Sequence, residues 1–530
     1  MIQVKSIAKA SLLGLSLVVA SCGSLDLVPF NEQTSASVYN DPNSYRQVLA
    51  KVYAGLAVTG QAGPAGRPDI SGGDEGFSSY LRQYWQLQEL TTDEAVIAWN
   101  DAGLPDLHNM SWTSGNQFIQ ALYYRLYYQI TLCNEFIRET TDAKLSERGV
   151  SGQVADEVRR FRAEARFMRA MSYWHAIDLF GNVPFVTEAD APGAFFPKQV
   201  QRAELFSYVE SELKAVEADL AEPRTNEYGR ADKAAAWMLL AKLYLNAQVY
   251  TGTARWNEAA DYSARVIRAG YVLTPAYGNL FRTDNHTSRE IIFPVAFDGL
   301  RTRTWGGMTF LVNAQIGGSM RAEQDFGTSG GWSGLRTTSA LVNLFTGNDS
   351  FTGTDSRAMF WRDGQSVTID DISDFKQGLA VMKYRNISST GQIGSDPGKT
   401  FPDTDYPMFR LADAYLTYAE AVLRGATPVA GVKTPVELVN DLRRRAGITT
   451  NLSAVDLLGI LDERARELYF EGTRRTDLIR YNRFTTATYL WPWKGGERNG
   501  RAVESYRNLF PIPAAELIAN PTLQQNPGYK

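Results

Sequence analysis

The chain has 530 residues and carries 54 Lys and Arg against 58 Asp and Glu, a formal charge of −4. A hydrophobic share of 44% beside 21% charged residues excludes a disordered polymer. The mildly acidic balance, without a basic run, excludes the electrostatic footprint of a nucleic-acid binder.

At the start of the chain, Lys5 and Lys9 precede a short apolar run that begins at Ser11 and closes on Val19-Ala20-Ser21-Cys22. A basic stretch, an apolar stretch and a Cys after the cut read as a bacterial lipoprotein signal over residues 1–21, because an ordinary leader ends before a small residue. The run is shorter than the ~20 apolar residues that a spanning helix needs. Cleavage would expose the Cys22 thiol and a new amine for acylation, and two or more chains give stable anchoring. The plainer alternative is a secretory peptide with a chance Cys. Residues 22–36 then form a lipidated tether, and 37–530 a single domain. With Cys22 lipidated, only Cys133 remains, so no internal disulfide can form. Cys133 sits in the aromatic stretch Leu122–Ile137 and is expected to be a small buried hydrophobe.

Helical patterning starts near Asp41-Pro42-Asn43, with Val48, Val52 and Leu56 at spacing four. Gly60–Gly76 and Asn100–Gly115 are loops, and Tyr80–Thr92 lies between them. From Asn116 the helical period dominates. Val158, Phe161, Ala165, Met168 and Met171 mark a helix that ends before Gly181-Asn182-Val183-Pro184. Another helix is expected over Arg202–Leu220.

Trp237-Met-Leu-Leu240-Ala241-Lys-Leu-Tyr244 fits the start of a tetratricopeptide helix, with Ala in place of Gly, and its partner follows at Trp256–Ala269. Met408-Phe-Arg-Leu411-Ala412-Asp-Ala-Tyr415 reads as a second copy, partnered by Pro435–Arg445. Phe167–Trp174 and Tyr123–Ile130 are looser copies. The expected fold is therefore mainly α: tetratricopeptide-like helix pairs forming a superhelical scaffold, interrupted by a loop-rich excursion over about 271–406. Within it, Glu290–Phe297, Met308–Val312 and Ala380–Tyr384 read as short strands. Helix returns at Ala454–Tyr481, and Pro511, Pro513, Pro521 and Pro527 give an extended, wrapping tail.

Enzyme signatures are scarce. His108, His175 and His286 lie in separate segments, without HExxH or Cys-x-x-Cys spacing, a GxSxG elbow or a phosphate loop. A glycosidase needs only two carboxylates, so Asp74-Glu75 and Asp93-Glu94 are the residual catalytic candidates.

The ordered blocks Glu164–Ala170 through Leu179–Pro184, Gly229–Leu245, Arg410–Ala421, Val439–Gly447 and Glu463–Arg480, with the tail Leu509–Pro513 and Gln525–Tyr529, coincide with one family. The chain resembles the SusD/RagB outer-membrane lipoproteins of Bacteroidetes over nearly its whole mature length. That resemblance implies a lipid-anchored protein on the outside of the outer membrane, acting as a lid on a SusC-like TonB-dependent transporter. The segment from Asp74 to Asp101 looks like the starch-binding SusD branch. It implies glycan contacts from Asp74, Arg82 and Trp99, with Asn100 as the amide. From the excursion it implies Phe297, where the branch has a Tyr, and a Trp, for which Trp332 is preferred over Trp305. Malto-oligosaccharide is the implied ligand, with another glycan or a peptide as the alternatives, and a surface glycosidase as the alternative of another class. No cofactor is expected, although the scattered Asp and Asn of the excursion permit a structural Ca²⁺ without an EF-type loop.

Overall fold

The computed structural model describes residues 38–64, 66–191, 193, 195–345 and 354–529. The expected signal peptide, Cys22 and the tether lie outside the described residues. The chain divides into two compact units, Met1–Ser44 and Tyr45–Lys530.

The helices follow from caps and apolar faces. Helices α1 (Pro42–Ala57) and α2 (Tyr80–Glu89) precede α3 (Gln117–Glu139). The Asn116 side chain starts α3 by accepting the N–H groups of Phe118 and Ile119. Helix α4 (Gly152–Leu179) packs on α3 and on α5 (Arg202–Val216), and stops where Gly181 turns to φ +75.

The tetratricopeptide-like pair is α6 (Lys233–Leu245) and α7 (Trp256–Arg268), packed through Ala236, Ala241, Ala260 and Ala264, all buried. Helix α8 (Gly307–Asn313) comes from the excursion. Helices α9 (Leu411–Leu423), α10 (Pro435–Arg445) and α11 (Leu457–Leu468) share a core of Leu416, Val439, Leu442 and Ile460. In α10 the boundaries agree with the sequence reading, because Thr434 and Glu437 form a capping box and Pro435 opens the first turn.

Three expectations need correction. Met408-Phe-Arg410 is strand: β6 (Tyr406–Arg410) pairs antiparallel with β2 (Ile291–Val295), and α9 begins only at Leu411. Met308–Val312 is not strand but lies in α8, since its apolar residues are buried all round. The segment Ala454–Tyr481 breaks into α11 and α12 (Arg474–Arg480) at Phe470 and Gly472, both at positive φ.

A narrow ribbon crosses the excursion. Strand β1 (Val96–Ile97) pairs with β3 (Leu335–Arg336). Thr337 then bridges to Leu379, beside β5 (Ala380–Val381), which pairs with β4 (Phe360–Trp361). The tail wraps as expected: Phe510 N–H donates to the Leu179 carbonyl, and Asn526 donates to the carbonyls of Phe180 and Phe510.

The charged residues of the densest sequence block are buried, and most of their partners come from distant segments rather than from their own helices. Arg410 binds Glu290, Glu467 and Glu471, Arg357 binds Asp355, Glu463 and Glu467, and Arg474 binds Asp93. Cys133 is fully buried, and burial pushes its thiol up to about 12. His175 is packed against Tyr84 and hydrogen-bonded to the Tyr80 hydroxyl at 2.6 Å, with burial pulling it down to about 3.

Candidate functional site

The ribbon places two tryptophans side by side. Val96 opposes Arg336 and Ile97 opposes Leu335, and the ladder continues with Ala98 N–H donating to the Gly334 carbonyl at 2.9 Å. One step further, Trp99 reaches Trp332: its Nε1 donates to the Trp332 carbonyl at 3.0 Å, and the ring centroids lie 6.2 Å apart. Gly334 makes this possible, because a Cβ there would sit 2.6 Å from the Trp99 ring. Both indoles are half-buried.

Trp305 completes the group. Its ring lies 6.4 Å from Trp332 and 5.1 Å from Phe401. The backbone just after it is held by Ser79, the N-cap of α2, whose hydroxyl accepts the Gly307 N–H at 3.1 Å. Gly306 has to be glycine, since a Cβ would fall 2.1 Å from the Ser79 hydroxyl. Beneath the rings, the buried Phe310 of α8 meets Trp99 edge-on at 5.9 Å. The Arg82 guanidinium lies 4.3 Å from the Phe310 centroid and 5.9 Å from that of Trp99.

Arg82 is nine-tenths buried and donates to the Gly76 carbonyl at 2.7 Å. Burial lowers it to about 10 while Asp101 and Asp74 oppose the shift, so it stays charged at neutral pH. Its Nε has no hydrogen-bond partner among the described residues. Asp74 is exposed and accepts the N–H groups of Gly76 and Phe77, fixing the turn that Arg82 holds from below. Asn100 is exposed beside Trp99.

The structure therefore gathers Asp74, Arg82, Trp99, Asn100 and Trp332 in one region, and adds Trp305 and Phe310. Trp305 and Trp332, the two tryptophans weighed for this role, both belong to the group. Phe310 was hidden by the strand reading of its segment. Phe297 is a correction: its ring is buried, with Cζ only 2.5 Å from where a Gly307 Cβ would stand, and it offers no stacking face. Its backbone N–H donates to Asp405.

The paired acids are also placed. Asp93 forms a two-bonded pair with Arg474 and accepts the Tyr489 hydroxyl, deep in the core. Glu94 accepts the Phe470 N–H and Glu89 those of Gly472 and Thr473, and burial pushes both carboxyls up, Glu94 to about 7. These groups are shut away from any polymer, which removes Asp93-Glu94 as a catalytic pair. Among the described residues, no group of three or more His, Cys, Asp or Glu is placed to hold a metal, and no helix is long and apolar enough to cross a membrane.

Two family models match the chain: "SusD family" over residues 371–529, and "Starch-binding associating with outer membrane" over residues 74–245. The starch-binding protein SusD of Bacteroides thetaiotaomicron is 38% identical, over 99% of each chain. Among solved structures, surface glycan-binding protein A of Bacteroides uniformis superposes with a TM-score of 0.70 at 20% identity, covering 92% of this chain and 99% of its own. The protein of the same name from Bacteroides thetaiotaomicron, in complex with laminarihexaose, gives 0.69 at 18% identity, covering 91% and 99%. The fold of helix pairs with a loop-rich excursion, and the identity held from end to end, make the chain a member of the SusD family.

Proposed function

We propose that the protein is a non-enzymatic, lipid-anchored receptor that binds starch or malto-oligosaccharide on the outer face of the outer membrane and passes it to a SusC-like TonB-dependent transporter. The observation that carries the ligand class is the cluster of Trp99, Trp332 and Trp305 around Arg82. Half-exposed indoles offer flat area to the CH faces of a curved α-glucan. The Arg82 guanidinium, Asn100 and Asp74 stand near them for hydroxyl groups, the charged ones giving the stronger bonds. The end-to-end relative bears the name of a starch-binding protein, which supports the same reading. Anchoring rests on Cys22, and transport on membership of the family. No cofactor is needed for this role.

The test is calorimetric titration of the form lacking residues 1–22 with maltoheptaose, beside Trp99→Ala and with laminarihexaose as the competing glycan. Binding of maltoheptaose that is lost in a folded Trp99→Ala protein is the expected result. No heat with maltoheptaose overturns the α-glucan assignment, and a response to laminarihexaose alone replaces it with a β-glucan.

A further inference from the structure

Beyond the tryptophan cluster, the ribbon carries more aromatic surface. Trp332 is followed by Ser333, at φ +50, a left-handed backbone that a non-glycine residue rarely adopts. Ser333 packs against the turn Gly317-Gly318-Ser319: a Cβ on Gly317 would lie 2.2 Å from the Ser333 hydroxyl and 2.7 Å from the Phe375 ring. Phe375 and Ser333 thus both close on the Cβ side of Gly317, and Arg336 of β3 stands 5.9 Å from the Phe375 ring. At the other end of the same turn, Ser319 accepts the Trp361 Nε1–H at 3.1 Å, and that indole also reaches the Asp363 carbonyl at 3.0 Å.

Trp361 belongs to β4, whose other residue, Phe360, is buried, so strand alternation sends the two side chains to opposite faces. The ring is half-exposed, as is Phe375. Gly318 between them is bare: a side chain there would meet nothing within 4 Å. Its glycines leave the turn low, with a ring on either flank. An indole held by two hydrogen bonds at the surface has its ordering cost already met before any ligand arrives.

We propose that the glycan path runs on from Trp332 across the Gly317–Ser319 turn to Phe375 and Trp361, giving long chains a second aromatic platform. This rests on the α-glucan reading above and deepens it. A short oligosaccharide covers the first cluster alone, whereas a long one engages both, so affinity rises with chain length.

The experiment titrates wild type, Trp99→Ala and Trp361→Ala with maltotriose and with maltodecaose, and records each melting temperature. Trp361→Ala is expected to leave maltotriose affinity within about twofold and to weaken maltodecaose about three- to tenfold, the range of one aromatic contact. Trp99→Ala is expected to lose both ligands. Should Trp361→Ala melt early, Phe375→Ala, which removes no hydrogen bond, carries the same expectation. Wild-type affinity for maltodecaose in a folded Trp361→Ala protein, or an equal loss for both ligands, overturns the second platform and leaves the first standing. Absence of binding in wild type itself overturns the α-glucan reading and the extension with it.

Discussion

Gly334→Ala tests whether the geometry of the tryptophan cluster, rather than its mere composition, makes the site. The new Cβ would lie 2.6 Å from Cε2 and 2.8 Å from Cζ2 and Nε1 of Trp99. Unstrained contacts between such atoms are about 3.5–4.0 Å, so the ring has to move by about 1 Å. The backbone is poorly placed to yield, because Gly334 N–H donates to Ala314 at 2.7 Å and its carbonyl accepts from Ala98 and Arg336, both at 2.9 Å. Moving the ring that far breaks the bond from Nε1 to the Trp332 carbonyl, about 1 kcal/mol. It also spoils the edge contact with Phe310, about 0.5–1.5 kcal/mol. The variant is expected to lose ~2 kcal/mol of stability, to stay folded, and to bind maltoheptaose about tenfold more weakly because the stacking faces no longer line up. Gly330→Ala is the control, since a Cβ there meets nothing within 4 Å. Calorimetric titration and thermal melting of both variants are the assays. Gly334→Ala binding as tightly as Gly330→Ala would refute the reasoning.

The buried carboxyls make two further predictions. Glu89 and Glu94 titrate above the ordinary carboxylate range because burial disfavours their ionised forms. Groups raised in this way stabilise fully below the unfolded value near 4.5, and the contribution fades as pH rises through about 7. Glu94→Gln keeps an acceptor for Phe470 N–H without the ionisation. Its melting temperature is therefore expected to fall less between pH 5 and pH 8 than that of wild type, and parallel melting curves would count against the assignment. Arg410→Met removes the cation that joins Glu290, Glu467 and Glu471 in the core, leaving them to Arg445, Arg357 and Lys383. A loss of about 3–5 kcal/mol in denaturant melts is expected, and a loss below 1 kcal/mol would show that the network relaxes around the gap.

How much of this was legible in the sequence depended on whether the signal was local. The limits of α10 could be read from Thr434, Pro435 and Glu437 because a capping box is written within four residues. Helix α6 was legible because its tetratricopeptide pattern is local too. Met408–Arg410 failed because strand and helix both accept a short apolar run, and the deciding partner, β2, lies more than a hundred residues earlier. The site behaved in the same way. Trp99 and its surrounding acids could be singled out from the resemblance, but its partner stands 233 residues away. The glycines that seat the rings carry no pattern of their own, and the ion pairs of the densest block point outward to Arg357, Arg410 and Asp93 rather than along their helix.

Phe297 shows how one local packing choice decides which aromatic rings stay buried. The resemblance places a tyrosine at this position, where its ring and hydroxyl would face the glycan. Here Cζ, the carbon that would bear the hydroxyl, points at Gly307, whose φ of +51 already favours glycine. A hydroxyl added there would press into the backbone that starts α8, the helix that carries Phe310 beneath Trp99. The phenylalanine and Gly307 therefore form a matched pair. Trp305 stands two residues before Gly307, whose N–H donates to the Ser79 hydroxyl, and its ring neighbours that of Trp332. The cluster thus rests on backbone contacts at Ser79, Gly306, Gly307 and Gly334. These hold the rings before a ligand arrives and leave little side-chain freedom to be lost on binding.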